Sequence, residues 1–246
     1  MFNTNLLGAA SAAALAMAVV FAPQQAAADS ITINSTTPSW SNVVGGSGVN
    51  FDTSGGGNNT VTQVFWGSTN GDQSGLGFNP ANPPAITYQT GTTFLLGTLT
   101  HYNEPIGSGS AASSVRLNLL TAIAGAVPSS ATFSYRFDID ETPNQTPCAY
   151  PSTPGNPCAD AITFTNLTTS SSFTVAGVPY TIELLGFSTN GGNTLTSSFI
   201  SQEGASNSIG LYARITAPTP VPEPASFAIL GAGLLGLAAA RRRRLN

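Results

Sequence analysis

Apolar and polar residues alternate along much of the chain between residues 29 and 216. Every second residue from Phe133 to Ile139 is apolar, and the residues between them are polar. Val115–Leu119 repeats the pattern. A period of two predicts a strand with one buried and one exposed face. Further candidate strands are Ile31–Ile33, Val61–Gly67, Thr93–Thr100, Ala161–Asn166, Ser172–Val175, Tyr180–Phe187, Leu195–Ser201 and Ser208–Thr216.

Turn-forming residues separate these candidate strands. Gly55–Asn58 and Thr189–Gly192 are rich in glycine and asparagine, which favour turns. The segment shows no 3.6-residue helical period. Its length suits one domain with a sizeable core. The pattern therefore predicts an all-β fold, a single antiparallel β-sandwich or jelly-roll-like domain over residues 29–216.

The first 28 residues predict a signal peptide. Leu6–Phe21 is apolar, and Ala26–Ala28 supplies the small residues that precede a cleavage site. Met1–Asn5 contains no lysine or arginine, which departs from the usual cationic start of such a segment. The mature chain is expected to begin at Asp29 and to be exported.

The C-terminal end contains a second apolar segment. Residues 217–221 form a linker, and 225–240 are predicted to form a transmembrane helix before a basic end at 241–244. Sixteen helical residues reach ~24 Å, whereas the apolar layer of a bilayer is about 30 Å thick. The basic end should stay in the cytoplasm, which places the body outside. The residues that mark this segment are Pro222, Glu223, Pro224, Arg241, Arg242, Arg243 and Arg244.

This arrangement resembles the PEP-CTERM sorting signal over residues 222–246. The shared features are the Pro-Glu-Pro sequence, the short helix of glycine, alanine and leucine, and the arginine cluster. The resemblance implies that an exosortase-type peptidase of a Gram-negative bacterium processes the tail. The precursor would then be anchored in the inner membrane, and the mature protein would lie at the cell surface or outside the cell. A plain C-terminal membrane anchor is the alternative.

The body between these two ends is acidic. Residues 29–221 contain ten acidic residues, three arginines and no lysine, which gives a net charge of −7. A surface of this kind repels phosphate backbones. Nucleic acid is therefore not expected as a partner.

Cys148 and Cys158 are the two cysteines of the chain. In an exported protein, a close pair of cysteines predicts a disulfide. Metal binding is the alternative, but two thiols without a nearby histidine make a poor zinc site. The prolines between the two cysteines predict a stiff, exposed loop.

His101 is the one histidine of the chain. If the strand that begins at Thr93 continues through it, Leu99, His101 and Asn103 share one face. Hydrogen bonds from the imidazole and the amide to loop backbone are the expected role. Ligand contact and general base catalysis are the alternatives. No Gly-x-Ser-x-Gly sequence supplies a nucleophile, and no catalytic residues are predicted.

Asp138, Asp140 and Asp160 are the candidate ligands for Ca²⁺. Carboxylates clustered near a loop provide the oxygen ligands that this ion requires. Carboxylates that are solvated, or paired with Arg136, are the first alternative. A glycosidase acid and base is the second. No other cofactor is predicted.

Several local sequences resemble the THxN family of PEP-CTERM proteins, which is close to the choice-of-anchor K domains. Thr100, His101 and Asn103 form the Thr-His-x-Asn signature itself. The resemblance covers residues 31–216 and the tail, and it implies an exported, surface-associated β domain without implying a reaction. The other sequences that carry it are Val64–Gly67, Ser74–Phe78, Phe137–Asn144 and Ser201–Gly204.

Two functions are consistent with these features. The first is a non-catalytic surface or biofilm-matrix protein associated with exopolysaccharide and processed at its tail. The second is a secreted carbohydrate-binding or carbohydrate-active β-sandwich module, which would need an acidic groove with aromatic side chains. The aromatic candidates for such a groove are Trp40, Trp66, Tyr88, Tyr102 and Tyr150.

Overall fold

The alternating segments form strands that lie in two layers. The computed structural model describes residues 30–54, 61–67, 71–81, 85–166 and 172–217, together with residues 231–233, 236 and 241. In chain order the strands are β1 (Ser30–Gly45), β2 (Asn50–Ser54), β3 (Val61–Gly67), β4 (Gln73–Pro80), β5 (Ile86–Gln89), β6 (Thr93–Asn103), β7 (Ala112–Ile123), β8 (Ala126–Val127), β9 (Ser130–Asp140), β10 (Asp160–Asn166), β11 (Phe173–Val175), β12 (Val178–Ser188), β13 (Ser198–Ser201) and β14 (Ala205–Thr216).

The described strands pair in two antiparallel sheets. The six-stranded sheet has the order β13-β10-β9-β7-β1-β5, and the eight-stranded sheet has the order β2-β3-β4-β6-β14-β12-β11-β8. The prediction of an all-β antiparallel fold is confirmed. Strands β13 and β14 follow each other in the chain but lie in different sheets, so the turn between them joins the two layers.

Side chains from both sheets meet in one hydrophobic core. In β9, every second side chain from Phe133 to Phe137 is buried, as the alternation predicts. The Tyr135 hydroxyl of this strand donates a hydrogen bond to the carbonyl of Ile182 on β12 (3.1 Å). Trp40 Nε1 on β1 donates to the carbonyl of Thr62 on β3 (3.0 Å). These two bonds join the sheets and satisfy the polar ends of buried aromatic side chains.

Strand β4 is not predicted by the alternation, because glycine occupies positions where the pattern requires a side chain. A Cβ at Gly75 would lie 2.5 Å from the ring of Phe65 and 2.5 Å from the carbonyl oxygen of Val64. Glycine in a strand interior often marks such a close approach. Gly75 therefore interrupts the alternation that would have predicted β4, and it also lets β3 and β4 pack closely.

Strand β1 is much longer than the predicted Ile31–Ile33. It continues through Pro38, which pairs with Leu119 of β7. Pairing of β1 with β5 covers Ser30–Ile33 only. Beyond Ile33 the other edge of β1 has no paired strand among the described residues, so a proline without an N–H group is tolerated there.

Gly97→Ala is expected to lower the free energy of unfolding by about 1–3 kcal/mol, the range for overpacked sites. A Cβ at Gly97 would contact the ring of Phe78 and lie 2.5 Å from the backbone oxygen of Asn79. Gly71→Ala is the matched control, since a Cβ there meets nothing within 4 Å. Denaturant unfolding of the two variants measures the difference. Equal midpoints would contradict the packing of β4 against β6.

The body of the chain is compact by itself. Contacts group Ala28–Thr219 as one compact unit. The predicted signal peptide, residues 1–28, lies outside the described residues, as does most of the predicted helix 225–240. In the C-terminal segment, residues 231–233, 236 and 241 are helical and exposed. None of the described helical residues belongs to a helix long and apolar enough to cross a membrane.

Candidate functional site

Three acidic side chains converge where β9 ends and where the chain turns from β13 to β14. Glu141, Asp160 and Glu203 each place a carboxylate oxygen within 4.8 Å of the other two. We call these three residues the acidic cluster. Asp160 is 0% exposed and Glu203 is 3% exposed, whereas Glu141 is half-buried and gives the cluster access to solvent.

The strand register brings Glu141 and Asp160 together. Asp140 pairs with Ala161 in the antiparallel ladder between β9 and β10, so the residue that follows the end of β9 lies opposite Asp160. Asp160 pairs in turn with Ser201 of β13. The result is a row of three polar residues across the end of the six-stranded sheet.

Sequence reasoning selects Asp160 but misses Glu141 and Glu203. The alternation in β9 could have identified Glu141, because the buried residues between 133 and 139 are odd-numbered and Glu141 continues that series. For Glu203 the signal is its place in Ser201–Gly204, one of the sequences that carry the family resemblance. Glu203 lies in the turn from β13 to β14, where the chain changes sheets, and no strand period fixes its direction.

One carboxylate oxygen of Asp160 and one of Glu203 accept hydrogen bonds from neighbouring residues. Thr142 donates to Asp160 Oδ1 from its backbone N–H (2.7 Å) and from its hydroxyl (3.1 Å). Asn144 Nδ2 donates to Glu203 Oε1 (3.0 Å). The second oxygens, Asp160 Oδ2 and Glu203 Oε2, are buried and have no hydrogen-bond partner among the described residues, as is also true of Glu141 Oε2.

Asn103 brings the end of β6 to the same place. It is 0% exposed, and its Nδ2 donates to the carbonyl of Ser201 (3.0 Å). Its amide also lies against the carboxylates of Asp160 and Glu203. Asn103 Oδ1 is buried and has no partner among the described residues. The backbone N–H of Gly204 donates to the Asn103 carbonyl (2.7 Å), which ties the turn that carries Glu203 to β6.

Burial raises the pKa of all three acids. It raises the pKa of Glu141 to about 8, and repulsion from Asp160 and then Glu203 adds to the effect. Burial also raises the pKa of Asp160 and of Glu203, although hydrogen bonds from Thr142 and Asn144 oppose the rise. Glu141 is therefore mostly protonated near neutral pH, and a nearby cation would favour the charged form of all three carboxylates.

His101 lies in the core and not at a solvent-accessible site. Leu99, His101 and Asn103 are all 0% exposed and share the inner face of β6, as predicted. The imidazole stacks on the indole of Trp66, with ring centroids 6.3 Å apart. Burial lowers the pKa of His101 to about 3, so the ring is neutral at neutral pH. Thr100 points outward, where its hydroxyl bonds to that of Ser208 (2.8 Å).

Hydrogen bonds to loop backbone are expected from both His101 and Asn103. Among the described residues, the structure has a backbone hydrogen bond from Asn103 and none from His101. Asn103 bonds to the Ser201 carbonyl, which connects two strands. Both imidazole nitrogens of His101 lack a hydrogen-bond partner among the described residues. The histidine is therefore held by packing against Trp66, and the prediction of a backbone hydrogen bond from it is corrected.

The three aspartates proposed as Ca²⁺ ligands do not share one face in the structure. Asp138 and Asp140 lie on the outer face of β9, whereas Asp160 points into the acidic cluster. Arg136 pairs with Asp138 (2.6 Å), which is the pairing that the sequence offers as the alternative. Tyr150 donates to Asp140 Oδ2 (2.5 Å). The register between β9 and β10 is the physical reason: Asp140 lies opposite Ala161, so Asp160 lies opposite Glu141 and points to the other face of the sheet.

The predicted disulfide is present and closes a loop near the acidic cluster. Cys148 and Cys158 are bonded, with their Cα atoms 5.2 Å apart. The backbone N–H of Thr153 in this loop donates to Gln202 Oε1 (2.8 Å), and Gln202 Nε2 donates to the carbonyl of Pro151 (3.0 Å). The loop is mostly exposed, as predicted. Its anchoring to Gln202 fixes the residue that precedes Glu203.

The C-terminal segment matches a known motif. Residues 220–244 fit the family model for the PEP-CTERM protein-sorting motif. The tail is an exosortase sorting signal. The PEP-CTERM motif supports export, exosortase processing and sorting of this protein to the cell surface. Of the residues predicted to mark it, Arg241 is helical and exposed, and the remaining ones lie outside the described residues. No curated protein gives a significant match to the chain.

Proposed function

We propose that this PEP-CTERM protein is a non-catalytic β-sandwich of the cell surface or biofilm matrix that associates with exopolysaccharide after its tail is removed. The sorting motif at residues 220–244 is the observation that carries the proposal. Before processing, the segment 225–240 would hold the precursor in the inner membrane, with the body on the outer side.

The histidine and the two cysteines are not available for catalysis, which supports a non-catalytic body. His101 is fully buried against Trp66, where no substrate can reach it. The two cysteines are joined to each other. A general base needs access to the proton that it removes. The one histidine of the chain does not have that access.

Uncharged polar side chains on the six-stranded sheet support association with a hydrated polysaccharide. Thr32 and Thr87 share a hydrogen bond between hydroxyls (2.8 Å). Ser134 donates to the amide of Asn118, which donates in turn to Ser41 (both 2.8 Å). Hydroxyl and amide groups both donate and accept hydrogen bonds, as sugars do.

The positions of the shared motifs support membership of the body in the THxN family. His101 packs on Trp66, and Asn103 bonds to Ser201. The sequence Phe137–Asn144 contributes Asn144, which bonds to Glu203. Segments that are far apart in the chain therefore contact one another. Proteins of one family are expected to share these local sequences if the sequences together stabilise one part of the fold.

A carbohydrate-binding groove is the second candidate. Asp138, Asp140 and Tyr150 line an outer-face groove with a volume of about 280 Å³. An aromatic ring beside carboxylates can bind a sugar through stacking and hydrogen bonds. Trp40 and Trp66 do not contribute to such a surface, since both are buried.

Cell fractionation tests the proposal. A tag after Asp29 follows the body in a host that has an exosortase, with and without exopolysaccharide synthesis. We expect the body in the matrix fraction of the first strain and in the medium of the second. The same distribution in both strains would contradict association with exopolysaccharide.

The Tyr150→Ala variant separates the two candidates. If the outer-face groove binds sugar, the variant should leave the matrix fraction. If the body associates through its broader polar surface, the variant should be retained like the parent. A matched Tyr88→Ala variant controls for loss of an aromatic ring, because Tyr88 packs against Phe94 and lies outside the groove.

A further inference from the structure

We propose that the acidic cluster binds one calcium ion, with Glu141, Asp160 and Glu203 supplying carboxylate oxygens and Asn103 supplying its amide oxygen. This inference goes beyond the proposed function and does not depend on it. It also differs from the trio suggested by sequence, with which it shares Asp160 alone.

The spacing of the carboxylates fits calcium. Their ligand oxygens all lie within 4.8 Å of one another. Calcium binds oxygen at about 2.3–2.6 Å, so two oxygens on opposite sides of one ion are separated by up to about 5 Å. Magnesium binds at about 2.0–2.1 Å, which requires a tighter arrangement. One calcium ion can therefore contact all three carboxylates with little rearrangement.

Asn103 provides an observation that is independent of the acids. Its side chain is fully buried and lies against Asp160 and Glu203, yet Oδ1 has no partner among the described residues. Its Nδ2 donates to the Ser201 carbonyl, and the amide N–H group also faces Asp160 and Glu203. An unpaired buried amide oxygen is unfavourable, because folding removes its hydrogen bonds to water. A half-turn of the amide about its Cβ–Cγ bond would present this oxygen to a cation in the cluster.

Two of the three arginines of the body form ion pairs with acids outside the acidic cluster. Arg136 pairs with Asp138, and Arg214 pairs with Glu183. Arg116 lies opposite Arg136 on the neighbouring strand β7. The chain has no lysine. Three buried carboxylates without a cation repel one another, and an ion from solution would remove that repulsion.

The ion would join parts of the chain that are distant in sequence. Glu141 follows β9, Asp160 begins β10, Glu203 lies in the turn that crosses between the sheets, and Asn103 ends β6 of the eight-stranded sheet. Calcium bound here would therefore connect the two sheets at one end. Extracellular calcium modules typically bind with dissociation constants of 10⁻⁴–10⁻³ M, which suits a protein sorted to the cell surface.

Thermal unfolding of the full-length chain tests the site. The protein is purified in mild detergent, freed of metal with a chelator, and heated with and without 10 mM CaCl₂. We expect calcium to raise the melting temperature by about 5–10 °C. The ion stabilises the folded state by binding to it, and the size of the domain sets how far that stabilisation moves the melting temperature. Equilibrium dialysis with radioactive calcium should find one ion per chain.

Two isosteric double variants show which residues bind. Glu141→Gln with Glu203→Gln should abolish both the shift and the binding. It should still fold without calcium, because it removes charge repulsion. Asp138→Asn with Asp140→Asn is the matched control, and it should respond to calcium like the parent.

Several results would overturn the proposal. Calcium could fail to bind the parent or to raise its melting temperature, which would mean that protons, and not calcium, neutralise the carboxylates of the cluster. The control variant could lose the response while the cluster variant keeps it, which would place the ion on the outer face. Magnesium at the same concentration could give an equal shift, which would reject a calcium site.

Discussion

Changing Glu223 to alanine is expected to stop processing of the tail and to leave the full-length precursor in the membrane fraction. Pro222 and Pro224 flank this acid, and proline disfavours helix both at its own position and at the residue before it. The backbone around Glu223 is therefore expected to be extended and accessible to a peptidase, with the carboxylate as its one charged group. Separate tags on the body and the tail, followed in a host with an exosortase, measure cleavage.

Thr219→Ala is the control for that experiment. Thr219 lies immediately before the matched segment 220–244, so its variant should be processed like the parent. Cleavage of the Glu223→Ala variant at the parental rate would contradict the role of Glu223 in the sorting signal. A plain membrane anchor would then describe the tail better.

Serine in place of the four arginines should have a different effect. Each arginine costs ~2.5–3.5 kcal/mol to place at the centre of a bilayer on insertion scales. The four together are expected to keep the tail on the cytoplasmic side, and without them the tail should no longer be held for cutting. The residues replaced are Arg241, Arg242, Arg243 and Arg244.

His101→Ala is expected to lower the free energy of unfolding by about 2–4 kcal/mol, as for other deletions of large buried side chains. The imidazole is fully buried on Trp66, and its loss leaves a cavity that the surrounding strands cannot fill. Denaturant unfolding of the purified protein measures the change. Sorting to the surface should continue if the variant remains folded.

Two further variants identify what the imidazole contributes. His101→Leu should recover most of the stability lost in His101→Ala, because both ring nitrogens lack partners among the described residues and the role is packing. Thr100→Ala, one position away on the outer face, should cost under about 1 kcal/mol, the usual value of an exposed hydrogen bond. A leucine variant as unstable as the alanine variant would show that the polar ring matters.

The strands of the body could be predicted wherever the alternation is regular. β9 and β12 fall close to their predicted ranges, since their side chains alternate between core and solvent. β4 could not be predicted, because Gly75 meets Phe65 and Val64 in space, and that contact is invisible in a local pattern. β1 can continue through Pro38 because, among the described residues, no strand pairs with the second edge of β1 there. The local sequence does not reveal which edge of a strand is paired.

The candidate site could be predicted only in part. The sequence points to Asp160 as an acid that follows the disulfide loop, but it groups this residue with Asp138 and Asp140, which precede the loop. Those two acids point outward and bond to Arg136 and Tyr150. The strand period could have supplied Glu141 as the inward-pointing acid at the end of β9.

The sequence by itself determined the all-β character of the body, the Cys148–Cys158 bridge and the sorting tail. Each depends on residues that are near one another in the chain: an alternation, a short cysteine spacing, and a continuous segment of proline, apolar and arginine residues. The tertiary structure decided which acids meet. Glu141, Asp160 and Glu203 come together through antiparallel register and through a turn that changes sheets. Both are set by packing between segments far apart in the chain, so no local pattern of residues contains them.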